Sequence, residues 1–455
     1  MEPQGSQGKQ RVLRKATVYK KGFAMDVANE VPFDRDDAVV WRVPLLHLSV
    51  GLSTIKYITF MLSGIASLWP WNCFLSASDY FHDRFGSHPA LADNYSSTMM
   101  TVSTITSTVF NYYLSRSQHG VNYAGRLKTG NYLQMAIFLV MTLSVMVPER
   151  FTVLYFVFVM FNVLLTSIGS CLTQVGMMAL VNIQGPFYAN ATVVGNAIAG
   201  VLPSIAMIIA VVSNPLIDLN AQHEVEKSEI SVDRSAEAVK YFLTSVFMAV
   251  LAQVSFWLME HSERSVYTPI STSAAAPVAG GDTTGASDAL AGETLEQAAG
   301  EAFKPDTEFV GFAQLWAKLK YVESTIILTF SLTLIFPVFA SSVESQTISK
   351  KLFIPLAFLV WNIGDLFGRI LCASPYFLIK QEKKLIAYSV ARVVFIPLFL
   401  MCNIKNRGSS VGDTGYLLIQ LLFGLTNGQL FSSSYMCVGG LLDTEGEQQA
   451  AAAFT

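Results

Sequence analysis

Long apolar segments recur along the chain and are separated by shorter polar ones. About 20 predominantly apolar residues are enough for a helix to cross a bilayer. Six such segments follow a polar N-terminal stretch, and four more follow a second polar stretch. The pattern therefore predicts six membrane helices, a long loop and four further helices. The predicted spans are 55–80, 97–115, 130–147, 152–180, 190–212, 237–259, 319–341, 352–372, 385–403 and 414–437.

The polar segments predict how the chain is divided. Residues 1–50 are polar and basic and lack the pattern of a signal peptide, so they are predicted to form a disordered cytosolic tail. Residues 51–260 are predicted to form a six-helix bundle. Residues 261–310, rich in small and acidic residues, are predicted to form a disordered cytosolic loop. Residues 311–455 are predicted to form a second bundle of four helices. A fifth helix is predicted to begin at the Ala-rich segment 448–455 and to be truncated.

The charged loops favour a cytosolic N-terminus, because cytosolic loops carry more Lys and Arg than loops on the other side. The rule holds here only as a bias. The basic residues on the predicted cytosolic side are Arg116, Arg126, Lys128, Lys380, Lys383 and Lys384, against Lys350, Lys351, Lys405 and Arg407 on the opposite side. A glycosylation sequon at Asn94 falls in the first predicted outward loop, whereas a second at Asn190 falls on the cytosolic side and is expected to stay unmodified.

The composition is that of a polytopic membrane protein. Hydrophobic residues make up 52% of the 455 residues and charged ones 14%, against roughly 25% charged in soluble domains. The five cysteines lie in apolar segments without a CxxC spacing, and no HExxH motif or intramembrane histidine cluster is present. We therefore predict no disulfide framework, metal site or cofactor. The sequence also carries no visible nucleophile–base pair, so an enzyme is not expected.

A polar stripe interrupts the eighth apolar span. At 100° per residue, Asn362, Asp365 and Arg369 lie within about 60° of one another on a helix. A charge at bilayer depth costs roughly 2.5–3.5 kcal/mol and requires a partner, and Asp365 and Arg369 are spaced to pair. Two interpretations stay open: a structural ion pair between helices, or a cavity-facing solute site whose Asp and Arg bind a vicinal diol such as that of a ribose. Gly364 and Gly368 would let a neighbouring helix or a ligand come close.

Polar and aromatic residues mark four other spans. Pro70 is predicted to kink or open the first helix, which leaves Trp71 to line a cavity or to anchor at the membrane interface. Gln174 offers an amide that matches the edge of a nucleobase, or a hydrogen bond between helices. Phe336, beside a proline in the seventh span, lines a cavity or packs. Arg392 in the ninth span is predicted to form a second structural pair or to reach the interface.

Four motifs, in order along the chain, carry a family resemblance. They are Trp69-Pro70-Trp71-Asn72, Gln174, Phe336-Pro337 and Asn362-x-x-Asp365-x-x-Gly368-Arg369. Together they resemble the equilibrative nucleoside transporters over residues 52–455, and the segments around the first and third motifs are most similar to the fungal intracellular, vacuolar branch. The resemblance implies an all-α polytopic membrane fold of the major facilitator type. Its two bundles would hold six and five helices, with the eleventh helix missing from this chain.

The resemblance also implies the substrate-binding residues. Asp365 and Arg369 would hold the ribose, and Gln174 would contact the base. The other implied cavity residues are Trp71, Leu75, Phe336 and Asn362, with Ile105 and Thr108 as candidates in the second span.

The implied function is facilitative transport of nucleosides by alternating access. The expected substrates are adenosine, uridine, cytidine, guanosine and inosine, with nucleobases as further candidates and no nucleic acid. A monomer in a vacuolar or other intracellular membrane is expected. Two alternatives stay open. A proton-coupled symporter would use Asp365 or Glu344 as the titrating group, and a receptor or scaffold would use the Asp–Arg pair only for structure.

Overall fold

A computed structural model describes most of the predicted helical chain. It covers residues 39–43, 48–148, 151–212, 234–267, 309–334, 342–345, 347–405, 408 and 411–454. Phe336 and most of the predicted loop 261–310 lie outside these residues.

Every predicted span falls on helical structure, as far as its residues are described. By length and apolar composition alone, four of the described helices suffice to cross a membrane: the first, fifth, seventh and ninth. A 3₁₀ turn at Arg392–Val394 separates the tenth helix from the eleventh. The helices are α1 (Leu52–Ser76), α2 (Ser78–Arg84), α3 (Pro89–Arg116), α4 (Tyr123–Ser144), α5 (Thr152–Gln184), α6 (Pro186–Val212), α7 (Arg234–Tyr267), α8 (Phe312–Thr333), α9 (Lys350–Leu371), α10 (Glu382–Ala391), α11 (Phe395–Leu400), α12 (Asp413–Val438) and α13 (Glu445–Ala451).

A short hairpin precedes α1. β1 (Val39–Val43) pairs antiparallel with β2 (Leu48–Gly51), with Trp41 opposite Val50. β-Branched and aromatic residues favour strands, and both strands contain them. The prediction that residues 1–50 form a disordered tail is therefore wrong for residues 39–43 and 48–50, which form strands.

Two predicted loops are shorter than expected. The predicted loop 261–310 starts too early, because α7 continues to Tyr267. Ion pairs hold this end of α7 to its neighbours, with Lys56 Nζ 3.1 Å from Glu263 and Lys128 Nζ 2.7 Å from Glu260.

The first outward loop is also largely helical. Asn94 is exposed, as a sequon requires, but it lies on α3, where its Nδ2 donates to the carbonyl of Ala90. The next residue, Tyr95, is buried and stacks on Phe81 of α2, which explains why the helix starts this early.

Pro70 does not open α1, which continues to Ser76. Hydrogen bonds tie the helix to its neighbours on both sides of the proline. Trp69 Nε1 donates to Thr244 on α7, and Asn72 Nδ2 donates to the carbonyl of Ala199 on α6. Of the two outcomes predicted for Pro70, the opening of the first helix is therefore wrong, and the kink stays a prediction.

The helices pack into two groups that meet at α6. In the first group, α1 packs against α6 and α7, α4 packs against α5 and α7, and α3 packs against α5. In the second, α12 packs against α8, α9 and α10. α6 contacts both α9 and α12, and α13 reaches back to α5. The junction between the groups therefore runs along α6 and the polar face of α9.

Glycines bring α9 and α12 into backbone contact. A Cβ on Gly364 or Gly368 would overlap the carbonyl oxygens of Leu421 and Leu425 on α12. On α12, a Cβ on Gly424 or Gly428 would overlap the backbone of α9 at Trp361 and Asp365. Small residues allow such close approach between membrane helices. It is therefore the helix α12, and not a ligand, that occupies the space beside Gly364 and Gly368.

Candidate functional site

Asp365 and Arg369 form an ion pair one turn apart on α9. Arg369 Nε lies 2.8 Å from Asp365 Oδ2, and the two side chains are 12% and 5% exposed, respectively. The spacing predicted from the sequence therefore produces the pair, which is almost completely buried.

The pair is covered by neighbouring helices. Asn427 on α12 donates from Nδ2 to Asp365 Oδ1 at 2.7 Å and accepts from the Thr333 hydroxyl of α8 at 2.8 Å. Arg369 Nη1 donates to the carbonyl of Val193 on α6 at 2.7 Å. The pair thus lies where α6, α8, α9 and α12 meet, and both charges have polar partners within the protein.

A separate cavity lies in the first helix group. Its volume is about 140 Å³, and it is lined by residues of α1, α3 and α5, among them Trp71 and Gln174. Ligand pockets usually measure about 300–1,000 Å³, so this cavity admits only part of a nucleoside-sized solute. Hydroxyl groups supply much of its polar lining, from Ser67, Ser103, Ser107, Thr166, Ser167 and Ser170.

The structure brings together only two of the predicted site residues at the cavity, namely Trp71 and Gln174. Asp365 and Arg369 do not line this cavity, and α12 closely approaches the glycine-bearing face of α9. Their role in a cavity-facing solute site stays a prediction. Asn362 is also turned to protein, because its Nδ2 donates to Ser204 on α6 and to the carbonyl of Phe358.

Other predicted positions differ in detail. Leu75, one turn beyond Trp71, is 40% exposed and is not part of the lining. In the second span the predicted cavity residues are wrong, because Ile105 and Thr108 are exposed and face away. Their neighbours on the opposite side of α3 line the cavity instead, and the Ser spacing (Ser103, Ser107) is the sequence signal that marks that face.

The two helix groups are hydrogen-bonded at the end of the molecule that is predicted to be cytosolic. Asn190, near the start of α6, donates from Nδ2 to the Arg369 carbonyl at 2.9 Å and to Ser432 Oγ at 2.7 Å. Asn182, near the end of α5, donates to the carbonyl of Gln448 on α13. These contacts close that end of the junction.

Sequence reasoning missed an acidic residue within the membrane. Glu323 on α8 is buried, and its Oε1 has no hydrogen-bond partner in the part of the chain that the structure describes. Glu323 lies inside the predicted span 319–341 but was not singled out there. The helix α8 begins at Phe312, earlier than predicted, so Glu323 lies near its middle. An acid inside an apolar span was the signal that could have identified it.

Comparisons with known proteins agree on one family. A family model described as nucleoside transporter matches residues 160–455. The chain is 35% identical over 444 residues to nucleoside transporter FUN26 of Saccharomyces cerevisiae, covering 90% of this chain and 82% of that protein. It is 23% identical over 427 residues to equilibrative nucleoside transporter 1 of Homo sapiens, covering 84% of this chain and 89% of that protein.

The fold is similar to that of a solved membrane transporter. A solved structure of the major facilitator superfamily proton:xylose symporter XylE, bound to 6-bromo-6-deoxy-D-glucose, aligns with a TM-score of 0.53. That alignment covers 88% of this chain and 84% of the other at 10% identity, so the likeness concerns the fold alone. The predicted family and the predicted all-α, major-facilitator-like fold are confirmed. The chain is an integral, multi-pass membrane protein, and it belongs to the nucleoside transporter family.

Proposed function

We propose that this chain carries nucleosides across a membrane by facilitated, alternating-access transport. One observation carries the proposal: in a chain of this family, a buried carboxylate–guanidinium pair lies at the junction of the two helix groups. Transporters bind their substrates at such junctions and expose them to either side by rocking one group against the other. Relatives of this chain are named nucleoside transporters, which supports the same substrate class here.

The proposed site divides the nucleoside between the two groups. The base would stack on Trp71 and form hydrogen bonds with the Gln174 amide, whose donor and acceptor lie side by side. The ribose diol would bind Asp365 and Arg369, as an acceptor and a donor of hydrogen bonds. For this, Arg369 would exchange the Val193 carbonyl for the sugar. The remaining proposed lining residues are Leu75, Phe336 and Asn362.

Opening of the junction would require the hydrogen bonds between the two helix groups to break. The bonds from Asn190 to Arg369 and Ser432 hold the predicted cytosolic end closed. Interhelical hydrogen bonds in membranes contribute about 0.6 kcal/mol on average, so a bound substrate could compensate for their loss. The cavity beside Trp71 would then join the space around the ion pair.

The finer features of the proposal concern substrates and setting. We include adenosine, uridine, cytidine, guanosine and inosine as substrates, and nucleobases as well. The protein would act as a monomer in a vacuolar or other intracellular membrane, with a cytosolic N-terminus and a glycan at Asn94. Its two bundles would comprise residues 51–267, with the first bound extended from 260 to the end of α7, and residues 311–455.

Proton coupling is the second candidate function, and Glu323 is the observation that favours it. Acidic residues within membrane helices mark the proton relays of coupled transporters, and Glu323 is such a residue, buried and with no hydrogen-bond partner on Oε1 among the residues that the structure describes. Concentrative uptake driven by a proton gradient would support this candidate, whereas uptake that stops at equal concentrations would support facilitated transport.

Liposomes that contain the purified protein test the proposal. Radiolabelled uridine and adenosine should equilibrate across the membrane, and Asp365→Asn and Arg369→Lys should each abolish the flux. Asp443→Asn and Arg234→Lys are matched controls, because both residues lie at the surface, with side chains 86% and 45% exposed. Wild-type flux in both site variants would contradict the assignment of the ribose site. Absence of flux in the wild-type protein would favour a receptor or scaffold.

A further inference from the structure

The guanidinium of Arg369 has a third partner besides Asp365 and the carbonyl of Val193. It lies 5.6 Å from the ring centroid of Phe431 on α12. A cation within about 6 Å of an aromatic ring is attracted by the negative face of the ring, and the attraction is strongest where water is excluded. The Arg369 side chain is almost completely buried, so the ring belongs to the surroundings that hold the charge.

The contact follows from the packing of α9 on α12. The glycine contacts advance along both helices in the same direction, so the helices run parallel. Two helices with the same rise per residue keep their register over a turn. Asn427 on α12 donates to Asp365, and one turn later Phe431 meets Arg369. The helix α12 therefore presents an amide to the carboxylate and an aromatic ring to the guanidinium.

The ion pair alone does not determine how the guanidinium is turned. Arg369 Nε lies 2.8 Å from Asp365 Oδ2, but its N–H is aligned with no acceptor in the described part of the chain. The hydrogen bond from Nη1 to the Val193 carbonyl and the ring of Phe431 supply the further contacts of the group. The proposed transport requires Arg369 to give up the Val193 carbonyl for the sugar. The ring of Phe431 can keep the guanidinium in place during that exchange.

The ring of Phe431 is itself held from the first helix group. Tyr435, one turn further along α12, stacks on Phe431 with the ring centroids 6.3 Å apart and the planes inclined by 15°. Aromatic pairs at such distances attract each other. Tyr435 also packs against a hydrophobic cluster that includes Tyr123 on α4 and Val175 on α5. The position of Phe431 therefore depends on the contact between the two helix groups.

The helix α12 holds a second buried arginine in a similar way. Arg392, in the 3₁₀ turn between α10 and α11, is 1% exposed, so it does not reach the membrane interface. Its guanidinium lies 4.6 Å from the ring centroid of Phe423 and donates hydrogen bonds to Thr426 Oγ1 and to the Phe423 carbonyl. Two phenylalanines of α12 thus each face a buried arginine, and the arginine that Phe431 faces belongs to the proposed substrate site.

We infer that Phe431 is a positioning residue for substrate binding, whose ring holds the Arg369 guanidinium while Arg369 exchanges the Val193 carbonyl for the hydroxyls of a ribose. The inference rests on the proposed function. A cation–π contact uses none of the N–H donors of a guanidinium, so these donors stay available for the sugar. The affinity for a nucleoside then depends on the charge distribution of the Phe431 ring and not only on its size.

Fluorinated phenylalanines test the inference, because stepwise fluorination weakens the negative face of the ring with little change of its size. The probe is radiolabelled uridine bound to the purified protein. With mono-, di- and trifluorophenylalanine in place of Phe431, the Kd for uridine should rise stepwise, by about fivefold in total. The same series at Phe353, buried on α9 against the ring of Tyr416, should leave the Kd unchanged. A constant Kd along the series at Phe431 would overturn the inference.

Ordinary variants give a second measurement. Phe431→Leu keeps an apolar side chain without the ring, and it should raise the Kd for uridine about fivefold to tenfold. Phe431→Tyr keeps the ring and should restore a Kd close to that of the wild-type protein. A Phe431→Leu protein with a lowered Tm but the wild-type Kd would show that the ring serves only packing, and would overturn the inference.

A thermal double-mutant cycle without nucleoside separates failure of the inference from failure of the proposed function. Phe431→Leu should lower the Tm of the purified protein by about 2 °C more when Arg369 is present than in an Arg369→Gln background, because the ring then loses a contact with the cation. Equal losses in the two backgrounds would overturn the inference. If the wild-type protein neither binds nor carries uridine, the proposed function fails, while the cycle still decides whether Phe431 holds Arg369.

Discussion

Asn190 on α6 donates a hydrogen bond from Nδ2 to the backbone carbonyl of Arg369 on α9, across 2.9 Å. The same amide group donates to Ser432 Oγ on α12. One uncharged side chain therefore fastens the first helix group to two helices of the second. Separation of the two groups would therefore break a hydrogen bond to the backbone of the residue that carries the guanidinium of the ion pair.

Removal of this amide should open the closed end of the junction. The two interhelical hydrogen bonds contribute about 0.6 kcal/mol each. Their loss in Asn190→Ala should shift the equilibrium between the closed and open forms toward the open form by about fivefold to tenfold. Cys372 is a natural reporter, because it is fully buried in a cluster with Tyr188 and Ala189 of the first group. In a variant that keeps only this cysteine, Asn190→Ala should speed maleimide labelling by about the same factor.

Gln381→Ala serves as the control, because Gln381 is an exposed amide residue before α10 whose side chain makes no capping hydrogen bond to that helix. It should leave labelling of Cys372 unchanged. If Cys372 is labelled as slowly in Asn190→Ala as in the protein with Asn190 intact, other contacts keep the junction closed.

Loss of the Gln174 amide should alter discrimination between bases more than it alters recognition of the sugar. Gln174 lies in the cavity beside Trp71, and hydrogen bonds to a base edge are worth about 1–3 kcal/mol each. Gln174→Leu should therefore weaken transport of the preferred nucleoside about tenfold and level the differences among adenosine, uridine and cytidine in competition assays. Gln381→Leu, at an exposed position before α10, is the matched control. An unchanged order of preference would exclude Gln174 from base recognition.

The sequence was sufficient to predict the helices and the ion pair. An apolar run in a membrane can only be a helix or part of a barrel, because its backbone groups must bond within the protein. Helical periodicity then makes Asp365 and Arg369 neighbours whatever lies around them. These features depend on local geometry, and for that reason the sequence alone predicts them.

What covers the pair depends on contacts between helices that are distant in sequence. The glycines on α9 mark a face of close approach, but they do not tell whether a ligand or another helix fills the space. Only the matching glycines of α12, Gly424 and Gly428, show that the helices fit together. Asn427 and Val193, which satisfy the two charges, are likewise brought to the pair by tertiary packing. The burial of Glu323, which lies inside the predicted seventh span, likewise depends on tertiary packing.

Gly428 should tolerate no side chain. A Cβ there would overlap the backbone carbonyl of Asp365, and strain of this kind in a packed interior costs about 1–3 kcal/mol. Gly428→Ala should lower the Tm of the detergent-solubilised protein and reduce nucleoside flux, since Asp365 would be displaced. Gly412→Ala is the control, because nothing lies within 4 Å of a Cβ at that position. Equal Tm values for Gly428→Ala and Gly412→Ala would show that α9 and α12 can move apart without loss of stability.

Glu447 on α13 should make stability depend on pH in a predictable direction. The carboxylate is buried and lies 2.6 Å from the Lys318 ammonium, with further hydrogen bonds from Gln314 Nε2 and the Asp443 amide. Burial alone would raise its pKa, but these bonds and the charge of Lys318 outweigh it, so the pKa of Glu447 lies below its ordinary value. A lowered pKa in the folded state contributes stability above the ordinary value of about 4.3, and that contribution is lost as the pH falls through the lower value.

The Tm of the wild-type protein should therefore fall between about pH 5 and pH 3 more steeply than that of Glu447→Gln, which lacks the titrating group. Glu445→Gln, an exposed position two residues earlier on α13, should keep the wild-type slope. The carbonyl of Gln448 on α13 also accepts a hydrogen bond from Asn182 on α5. Loss of the contact between Glu447 and Lys318 at low pH should therefore weaken this link between the helix groups as well. At pH 7.5, Cys372 should be labelled faster in Glu447→Gln than in the wild-type protein, because the variant weakens the same contact of α13. Equal labelling rates of the two proteins at this pH would show that α13 does not keep the junction closed.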